Sequence, residues 1–225
     1  MELTKEQLLQ IDNYIYSCGI KFYDVRTEIV DHFANILEQK LDENPDLVFK
    51  KEIINIHRNF SDNGFHKLLK EKTKSVQNKF YKQSFKHFIT FFKLPKVIIT
   101  IALFYALFQI MNLFEDKETF FQILTGLGLV TVFSVFLNSY LKKKKKKEIF
   151  LALDMNNDLT QIINNAVIYF NTITIFRSEE SFLNPIHNNI QLVIFVAALL
   201  FYWSCQTVFF KNKKVIKEQY PNVIV

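Results

Sequence analysis

The chain has 225 residues, of which 49% are hydrophobic and 25 are phenylalanine, and its formal net charge is +6 at pH 7. A soluble domain rarely combines so much phenylalanine with so much lysine, whereas a membrane protein with basic cytosolic segments does. The basic charge therefore needs no nucleic acid to explain it. Cys18 is predicted to lie in water and Cys205 within the membrane. This separation argues against a structural disulfide and against a cysteine-based metal site.

Residues 1–64 are predicted to form a cytosolic domain of three short helices. Residues 4–7 match a capping box, and residues 1–21 lack the continuous apolar core of a secretory signal. Asp24 is expected to cap the second helix, which ends at the Asn-Pro-Asp turn of residues 44–46. A third helix follows and ends at a polar turn. Because a domain of roughly 60 residues is marginally stable alone, contact with the membrane or with a second copy is expected to stabilise it.

Residues 65–94 are predicted to form a basic, aromatic helix just before the membrane. In its second half, aromatic residues alternate with lysines, as in helices that attach to anionic lipid surfaces. The same composition occurs in RNA-binding segments, but the chain has no RNA-binding module signature, so no nucleic-acid partner is predicted. The lysines predicted to contact lipid headgroups are Lys79, Lys82, Lys86 and Lys93.

Four long apolar stretches predict transmembrane helices within residues 95–210, and residues 211–225 are a basic cytosolic tail. Each stretch has about the length that a ~30 Å hydrocarbon core requires. The third stretch holds several amide side chains and is the least apolar. The predicted spans are residues 95–114, 119–141, 159–176 and 189–210.

Six consecutive lysines, residues 142–147, determine the predicted orientation. Each lysine would cost about 3 kcal/mol in hydrocarbon, so the run stays in water, and the positive-inside rule puts it in the cytoplasm. The other lysine-rich segments then fall on the same side, and both acidic loops fall on the opposite side. The sequence therefore predicts an all-α protein of the cell inner membrane. It has a small N-terminal helical domain, a four-helix transmembrane bundle and both termini in the cytoplasm.

Polar residues of the third predicted span lie on one stripe of its helix. Gln161, Asn164 and Asn171 follow three-and-four spacing, and we interpret them as groups that hydrogen-bond between packed helices. A substrate path along these residues is the alternative. No Asp, Glu, Lys, Arg or His lies firmly within the core of a predicted span, which argues against an ion-coupled pump or a proton relay.

The most distinctive string of the soluble part supplies five candidate binding residues: Asp24, Arg26, Glu28, Asp31 and His32. A carboxylate one helical turn from an imidazole can bind a metal or act as an acid–base pair. The helical wheel, however, places His32 on the apolar face, so we favour a half-buried His32 that is hydrogen-bonded to Glu28. No catalytic motif, metal site or cofactor is predicted.

Residues 19–32, followed by Ile36, Leu37 and Glu38, resemble the start of a group of uncharacterised bacterial multi-pass membrane proteins. Those proteins have a short helical cytosolic domain ahead of several membrane helices. They are in turn similar to HAAS-type domains, small helical modules often associated with PadR-family transcriptional regulators. HAAS-type modules tend to carry a glycine after their last helix, and Gly64 is expected to match it. The resemblance implies a signalling or interaction module attached to a membrane bundle, with no catalytic residues to transfer.

Three hypotheses for function follow. The leading one is a non-enzymatic integral membrane protein, a signalling or interaction adaptor whose cytosolic domain binds a protein partner or a second copy. The alternative is a subunit of a transporter or permease whose path follows the stripe of Gln161, Asn164 and Asn171. The third is a membrane enzyme that uses Glu28 and His32 together with Asp31.

Overall fold

The computed structural model describes residues 2–60, 64–143, 148–221 and 223. Residues 61–63 of the predicted polar turn and residues 144–147 of the lysine run lie outside these ranges. The described residues form α-helices joined by short turns and contain no β-strand, so the predicted all-α class is confirmed.

The helices follow the predicted segments closely in order. A short 3₁₀ turn at Thr90–Phe92 separates α4 from α5. The α-helices of the described residues are α1 (Lys5–Ser17), α2 (Tyr23–Glu43), α3 (Phe49–Phe60), α4 (Gly64–Ile89), α5 (Val97–Leu113), α6 (Lys117–Lys143), α7 (Leu151–Phe176), α8 (Glu179–Leu183) and α9 (Pro185–Gln219).

The chain forms two compact units, each built from separate segments. Unit 1 comprises Met1–Asn78, Lys147–Asp154 and Tyr220–Val225, and unit 2 comprises Lys79–Lys146 and Met155–Gln219. Unit 1 thus extends past residue 64, where the sequence places the end of the N-terminal domain. It also includes the beginning of α7 and the residues that follow α9.

Local sequence explains how α1 begins and ends. Thr4 caps the helix, because its hydroxyl accepts a hydrogen bond from the backbone N–H of Gln7 at 3.3 Å, while the Gln7 side chain accepts one from the Thr4 N–H at 2.8 Å. The predicted capping box is therefore confirmed. Gly19 follows the helix with a φ of 97°, a left-handed conformation that glycine adopts without strain.

The core of unit 1 is formed by apolar faces of α1 and α2. Ile11 and Ile15 of α1 are fully buried, as are Ile29 and Phe33 of α2. Residues of α3, α4 and the start of α7 complete the cluster, and its buried members from those segments are Ile53, Ile56, Phe65 and Leu151. The core therefore combines residues of the first 65 positions with Leu151 from the start of α7.

Unit 2 contains the helices that can cross a membrane. Within the described residues, α6 over Lys117–Leu137 and α9 over Pro185–Gln219 are long and apolar enough to do so. The pair Phe65–Phe92 and Val97–Leu113 meets the same requirement jointly, with a bend of 77° at the break. The chain therefore has two apolar spans, or three with the bent pair, and its predicted membrane association is supported.

The prediction of a four-helix transmembrane bundle is confirmed only in part. Helix α7 contains the third predicted span, yet it is not among the described helices that are long and apolar enough to cross a membrane. The physical reason is composition, since Gln161, Asn164, Asn165 and Asn171 interrupt its apolar residues.

Phenylalanines from several helices fill the core of unit 2. Phe121 of α6 lies 6.1 Å from Phe170 of α7 and 6.3 Å from Phe182 of α8, measured between ring centroids. Phe170 also lies 5.1 Å from Phe195 of α9. Such offset and tilted pairs add stability beyond their buried area, and they hold one face of α7 inside the unit.

Candidate functional site

The short segment before α7 pairs with the beginning of α2. Phe22 and Ile149 form an isolated parallel β-bridge, and the Tyr23 N–H donates a hydrogen bond of 2.7 Å to the Ile149 carbonyl oxygen. Both partners belong to unit 1. We call this contact, formed by residues 22–26 with residues 148–151, the α2–α7 junction.

Asp24 caps α7 within the junction. Its Oδ1 accepts hydrogen bonds from the Leu151 N–H at 3.0 Å and from the Val25 N–H at 3.1 Å. A carboxylate here satisfies an N–H that the first turn of α7 cannot bond internally and interacts favourably with the helix dipole. The expectation that Asp24 caps α2 is wrong, because Phe22 occupies that cap position without a side-chain hydrogen bond. The Asp24 carboxylate instead accepts a hydrogen bond from Leu151, which is distant in the sequence.

The environment of Asp24 shifts its proton affinity. Burial raises the pKa of Asp24 above its ordinary value, and the hydrogen bonds from the Leu151 and Val25 N–H groups offset only part of that rise. The junction therefore holds a carboxyl group that protonates more readily than an exposed aspartate.

Arg26 is the buried cation of the junction, with 3% of its surface exposed. Its Nε donates to Asp12 Oδ1 of α1 at 2.6 Å, and its Nη2 lies 3.1 Å from each carboxylate oxygen of Glu148. The guanidinium also lies over the rings of Tyr16 and Tyr23, at 5.3 Å and 5.6 Å from their centroids. Arg26 thus links α1 and α2 to the segment that begins α7.

The two carboxylates stabilise the charge of Arg26. Burial by itself lowers the pKa of Arg26, but the hydrogen bonds to Asp12 and Glu148 outweigh it and leave the pKa above its ordinary value. The guanidinium is therefore a permanent cation that is fully paired inside unit 1.

Three aromatic rings extend the junction to the end of α9. The centroid of Phe150 lies 5.4 Å from that of Tyr23 and 5.2 Å from that of Tyr220, and the two tyrosines are 5.7 Å apart. Tyr220 directly follows the last residue of α9. Unit 1 therefore holds the beginning of α7 and Tyr220, the residue that follows α9, in one small cluster.

The remaining candidates of the string lie outside the junction. Glu28 is exposed and accepts two hydrogen bonds from Lys72 of α4, at 2.7 Å and 2.8 Å. Asp31 and His32 are exposed. The expectation of a half-buried His32 is wrong, because its side chain is exposed, whereas its hydrogen bond to Glu28 stays a prediction. The buried residues of α2 include Arg26, Ile29 and Phe33, and they share one face of the helix. His32 lies just outside that face. Among the described residues, no group of three or more His, Cys, Asp or Glu side chains could hold a metal ion.

The second half of α4 and the residues that follow it up to Lys93 have three distinct faces. All four lysines that the sequence assigns to lipid headgroups, Lys79, Lys82, Lys86 and Lys93, are exposed. Large apolar side chains form an exposed stripe beside them, whereas Phe80, Ser84 and Phe91 are buried in unit 2. The exposed apolar residues are Tyr81, Phe85, Ile89 and Phe92. A lysine stripe beside an aromatic stripe is typical of a helix at a lipid–water interface.

The amide stripe of α7, defined as Gln161, Asn164 and Asn171, points outward. Gln161 and Asn164 are exposed and Asn171 is half-buried, whereas the buried residues of the helix include Ile163 and Phe170. The stripe therefore does not form the hydrogen bonds within the bundle that the sequence analysis expected.

Unit 2 also encloses an apolar cavity of about 480 Å³ between α5, α6, α7 and α9. Two hydroxyls in its lining, those of Thr125 and Thr131, donate to backbone oxygens of their own helix. Cavities of this size can hold small ligands, but this lining offers little to a polar substrate. Its other residues include Leu103, Leu124, Val167, Phe195 and Leu199.

Two polar clusters escaped the sequence analysis. Arg177, after α7, donates to Asn188 Oδ1 at 2.8 Å, also bonds the Gln191 side chain, and lies 4.0 Å from the Phe182 ring centroid. In unit 1, Tyr14 and His57 Nδ1 are joined by a 2.7 Å hydrogen bond. In the sequence, Arg177, Asn188 and Gln191 flank a short loop, which indicates that their side chains can meet. Which of them form hydrogen bonds is decided by the fold.

Comparison with protein-family models, curated proteins and solved structures finds no match to this chain. The resemblance of the N-terminal residues to HAAS-type domains therefore stays a prediction. The function of the chain is therefore inferred from its own geometry, and in particular from the α2–α7 junction.

Proposed function

We propose that this protein is a non-enzymatic adaptor of the cell inner membrane, in which an N-terminal helical module is coupled to membrane helices through the α2–α7 junction. The observation that carries the proposal is Arg26, which binds Asp12 of α1 and Glu148 at the same time. A partner that moves α1 would act directly on the segment that begins α7.

The energetics of the junction favour coupling over passive attachment. A buried arginine that loses one carboxylate partner leaves an uncompensated charge, at a cost of about 3–5 kcal/mol. Asp24 adds a helix cap that contributes about 1 kcal/mol. Displacement of α1 and α2 is therefore costly unless residues 148–151 move with them. A binding event on the N-terminal module would thus be transmitted to α7 rather than absorbed locally.

The membrane arrangement is part of the proposal. The lysines of α4 contact anionic headgroups, its exposed aromatic stripe lies at the acyl boundary, and the 77° bend turns the chain into the bilayer at α5. Helix α7 spans the membrane as the fourth helix, and both termini are cytoplasmic. With 26 residues, α7 is about 39 Å long at 1.5 Å per residue, which is sufficient to cross.

Neither alternative gains support. A transport path needs polar groups along an enclosed route, yet the amide stripe points outward and the cavity lining is apolar. An acid–base site needs Glu28 beside His32, yet Glu28 binds Lys72. We therefore retain the adaptor.

Hydrogen exchange of the full-length protein in lipid nanodiscs tests the coupling. Arg26→Gln should speed backbone exchange at residues 149–154 and at Tyr220 by about tenfold, because both segments lose their attachment to α2 within unit 1. Lys72→Gln is the matched control, since it breaks the exposed Lys72–Glu28 pair in the same unit. Unchanged exchange in both segments of the Arg26→Gln protein would refute the coupling.

Photo-crosslinking tests the adaptor role separately. Leu9 of α1 and Ile54 of α3 are large apolar residues that are 59% and 43% exposed on unit 1. A photoreactive residue at either position should capture a specific protein partner or a second copy in native membranes, whereas the exposed Lys50 position serves as a control. A chain that captures nothing at Leu9 and Ile54 and runs as a monomer in mild detergent would contradict the adaptor role.

A further inference from the structure

We propose that α7 packs against α7 of a second copy of this chain, through a seam that contains the amide stripe. The seam consists of Gln161, Asn164, Ile168, Asn171 and Ile175. The inference rests on the proposed function in one respect, the assignment of α7 as a membrane span. It adds the partner of that helix and the residues that contact it.

The seam follows a heptad pattern on the outer face of α7. Its residues are separated by three, four, three and four positions, which is the a/d spacing of helices that pack in parallel along their length. Ile168 and Ile175 are 50% and 68% exposed, Gln161 and Asn164 are exposed, and Asn171 is half-buried. The spacing and the exposure thus select the same face.

The opposite face of α7 is already occupied. Ile163 and Phe170 are buried in unit 2, and Thr174, 3% exposed, bonds Gln191 of α9 at 2.8 Å. This packing prevents α7 from rotating its amides inward. The seam is therefore presented outward on a helix that its own unit holds in place.

The amide groups of the seam need a hydrogen-bonding partner in the bilayer. Among the described residues, no side-chain hydrogen bond reaches Gln161, Asn164 or Asn171. Hydrocarbon can neither donate nor accept a hydrogen bond, so an exposed amide within a span is unfavourable until another protein surface satisfies it. The seam is thus incomplete in a single chain.

A second copy is the partner whose chemistry fits. Each amide carries one acceptor oxygen and a donor NH₂ group, so two identical amides that face each other across a twofold axis can satisfy one another. Ile168 lies between two of the amides and Ile175 follows the last one, so both supply apolar layers, as in coiled coils that carry polar residues at a or d positions. An acidic or basic partner would leave half of each amide unpaired.

Disulfide trapping in native membranes tests the seam. Cys18→Ser with Cys205→Ala removes the native thiols, and single cysteines are then introduced by Ile168→Cys or Ile175→Cys. The matched control is Tyr169→Cys, which is 70% exposed and adjacent to Ile168 in sequence but about a third of a turn from the seam. Oxidation should yield about tenfold more disulfide-linked dimer at the seam positions than at the control. Equal yields at all three positions would overturn the proposal.

The amides are tested in the Ile168→Cys protein. Asn164→Leu should reduce dimer yield several-fold because it removes the hydrogen bond, whereas Asn164→Gln keeps an amide and should retain most of the yield. An unchanged yield with Asn164→Leu, or a crosslinked product containing a different protein, would overturn the role of a second copy. If the cysteine-free chain does not fold, a photoreactive residue at Ile168 of the otherwise unaltered chain gives the same readout.

Two measurements separate this proposal from the proposed function. Rapid labelling of Ile168→Cys by a membrane-impermeant maleimide would show that α7 is not in hydrocarbon, and both the seam and the fourth span would fail. Protection from the maleimide without dimer formation would overturn the seam alone. The exchange experiment on Arg26→Gln reports on the junction independently of either result.

Discussion

Arg26 shows how one buried side chain can join segments that are far apart in the sequence. It is separated by 14 residues from Asp12 and by 122 residues from Glu148, and its guanidinium reaches both carboxylates. A short apolar side chain at this position would leave two acidic groups facing each other. The stability of unit 1 should therefore depend strongly on this residue.

Arg26→Gln should destabilise the protein by about 3 kcal/mol, near the lower end of the range for broken buried pairs. The lower end applies because the Asp12 and Glu148 side chains are 31% and 32% exposed, so water can partly solvate their charges. Chemical denaturation of the full-length protein in detergent measures the free energy of unfolding. Lys72→Gln, which breaks a pair whose side chains are 39% and 59% exposed, should cost only about 0.5 kcal/mol. Equal losses for the two variants would contradict the importance of the buried pair.

Asp24 predicts a specific dependence of stability on pH. Because burial raises the pKa of Asp24 in the folded state, the folded protein binds a proton more readily than the unfolded chain does. Its contribution to the free energy of unfolding should therefore decrease as pH rises from the ordinary aspartate range through the raised pKa. Asn at this position can still accept the Leu151 N–H hydrogen bond but does not titrate.

The melting temperatures of the wild type and of Asp24→Asn, compared from about pH 4 to about pH 7, measure this contribution. The wild type should lose stability relative to Asp24→Asn as pH rises over that interval. A relative gain would mean that the charged carboxylate is favoured in the folded protein. In that case the hydrogen bonds to Leu151 and Val25 would outweigh burial.

At the scale of single elements, Gly128 of α6 lies directly against Val167 of α7. A Cβ atom at this position would lie 2.8 Å from Cγ2 of Val167 on α7, which is too short for real contacts. Valine has few alternative rotamers in a helix, so the two helices would have to separate. A residue without a side chain is therefore needed here for packing rather than for a special backbone conformation.

Gly128→Ala should destabilise the protein by about 1–3 kcal/mol, the usual cost of overpacking. Gly126→Ala is a matched control in the same helix, because a Cβ there meets no atom within 4 Å. The control should be neutral or slightly stabilising, since alanine favours helix more than glycine does. Thermal unfolding in detergent gives both values, and Val167→Ala should restore much of the stability lost in Gly128→Ala. A failure of that rescue would indicate that the contact is not the cause.

Helix α4 combines two environments along one element. Its first part belongs to unit 1, where Lys72 pairs with Glu28. Its last part belongs to unit 2, where Phe80 is buried, as is Phe91 just after the helix. The basic and aromatic composition of this segment is evident in the sequence. The four lysines are exposed, and their contact with lipid headgroups stays a prediction. The buried third face could not be identified from periodicity, because aromatic residues occur on both apolar faces.

At the scale of the whole molecule, charge distribution determines the expected topology. By the positive-inside rule, three basic segments are expected on the cytoplasmic side: the lysine-rich connector before α5, the lysine run at residues 142–147 and the basic residues near the end of α9. A fluorescent reporter fused after residue 225 should therefore be active. Alkaline phosphatase, which functions only outside the cytoplasm, should be active when inserted near Glu179 in the α7–α9 connection. Phosphatase activity at the C-terminus would contradict the four-span arrangement.

Features that depend on near neighbours in the chain could be predicted from the sequence alone. The Thr4 capping box and the apolar lengths of α6 and α9 are of this kind, because caps and hydropathy are decided within a few residues. The all-α class follows from the same local signals. The sequence also selected Asp24 and Arg26 as candidates, although it assigned them no correct partner.

Only the tertiary structure decided which partners those residues have. Asp24 caps α7 rather than α2, Arg26 binds Glu148, His32 is exposed, and the amides of α7 face outward. None of these outcomes follows from helical periodicity, because periodicity identifies residues that share a face but not what covers that face. For Asp24 and Arg26, the partners Leu151 and Glu148 lie more than a hundred residues away, and these contacts form only when the whole chain has folded.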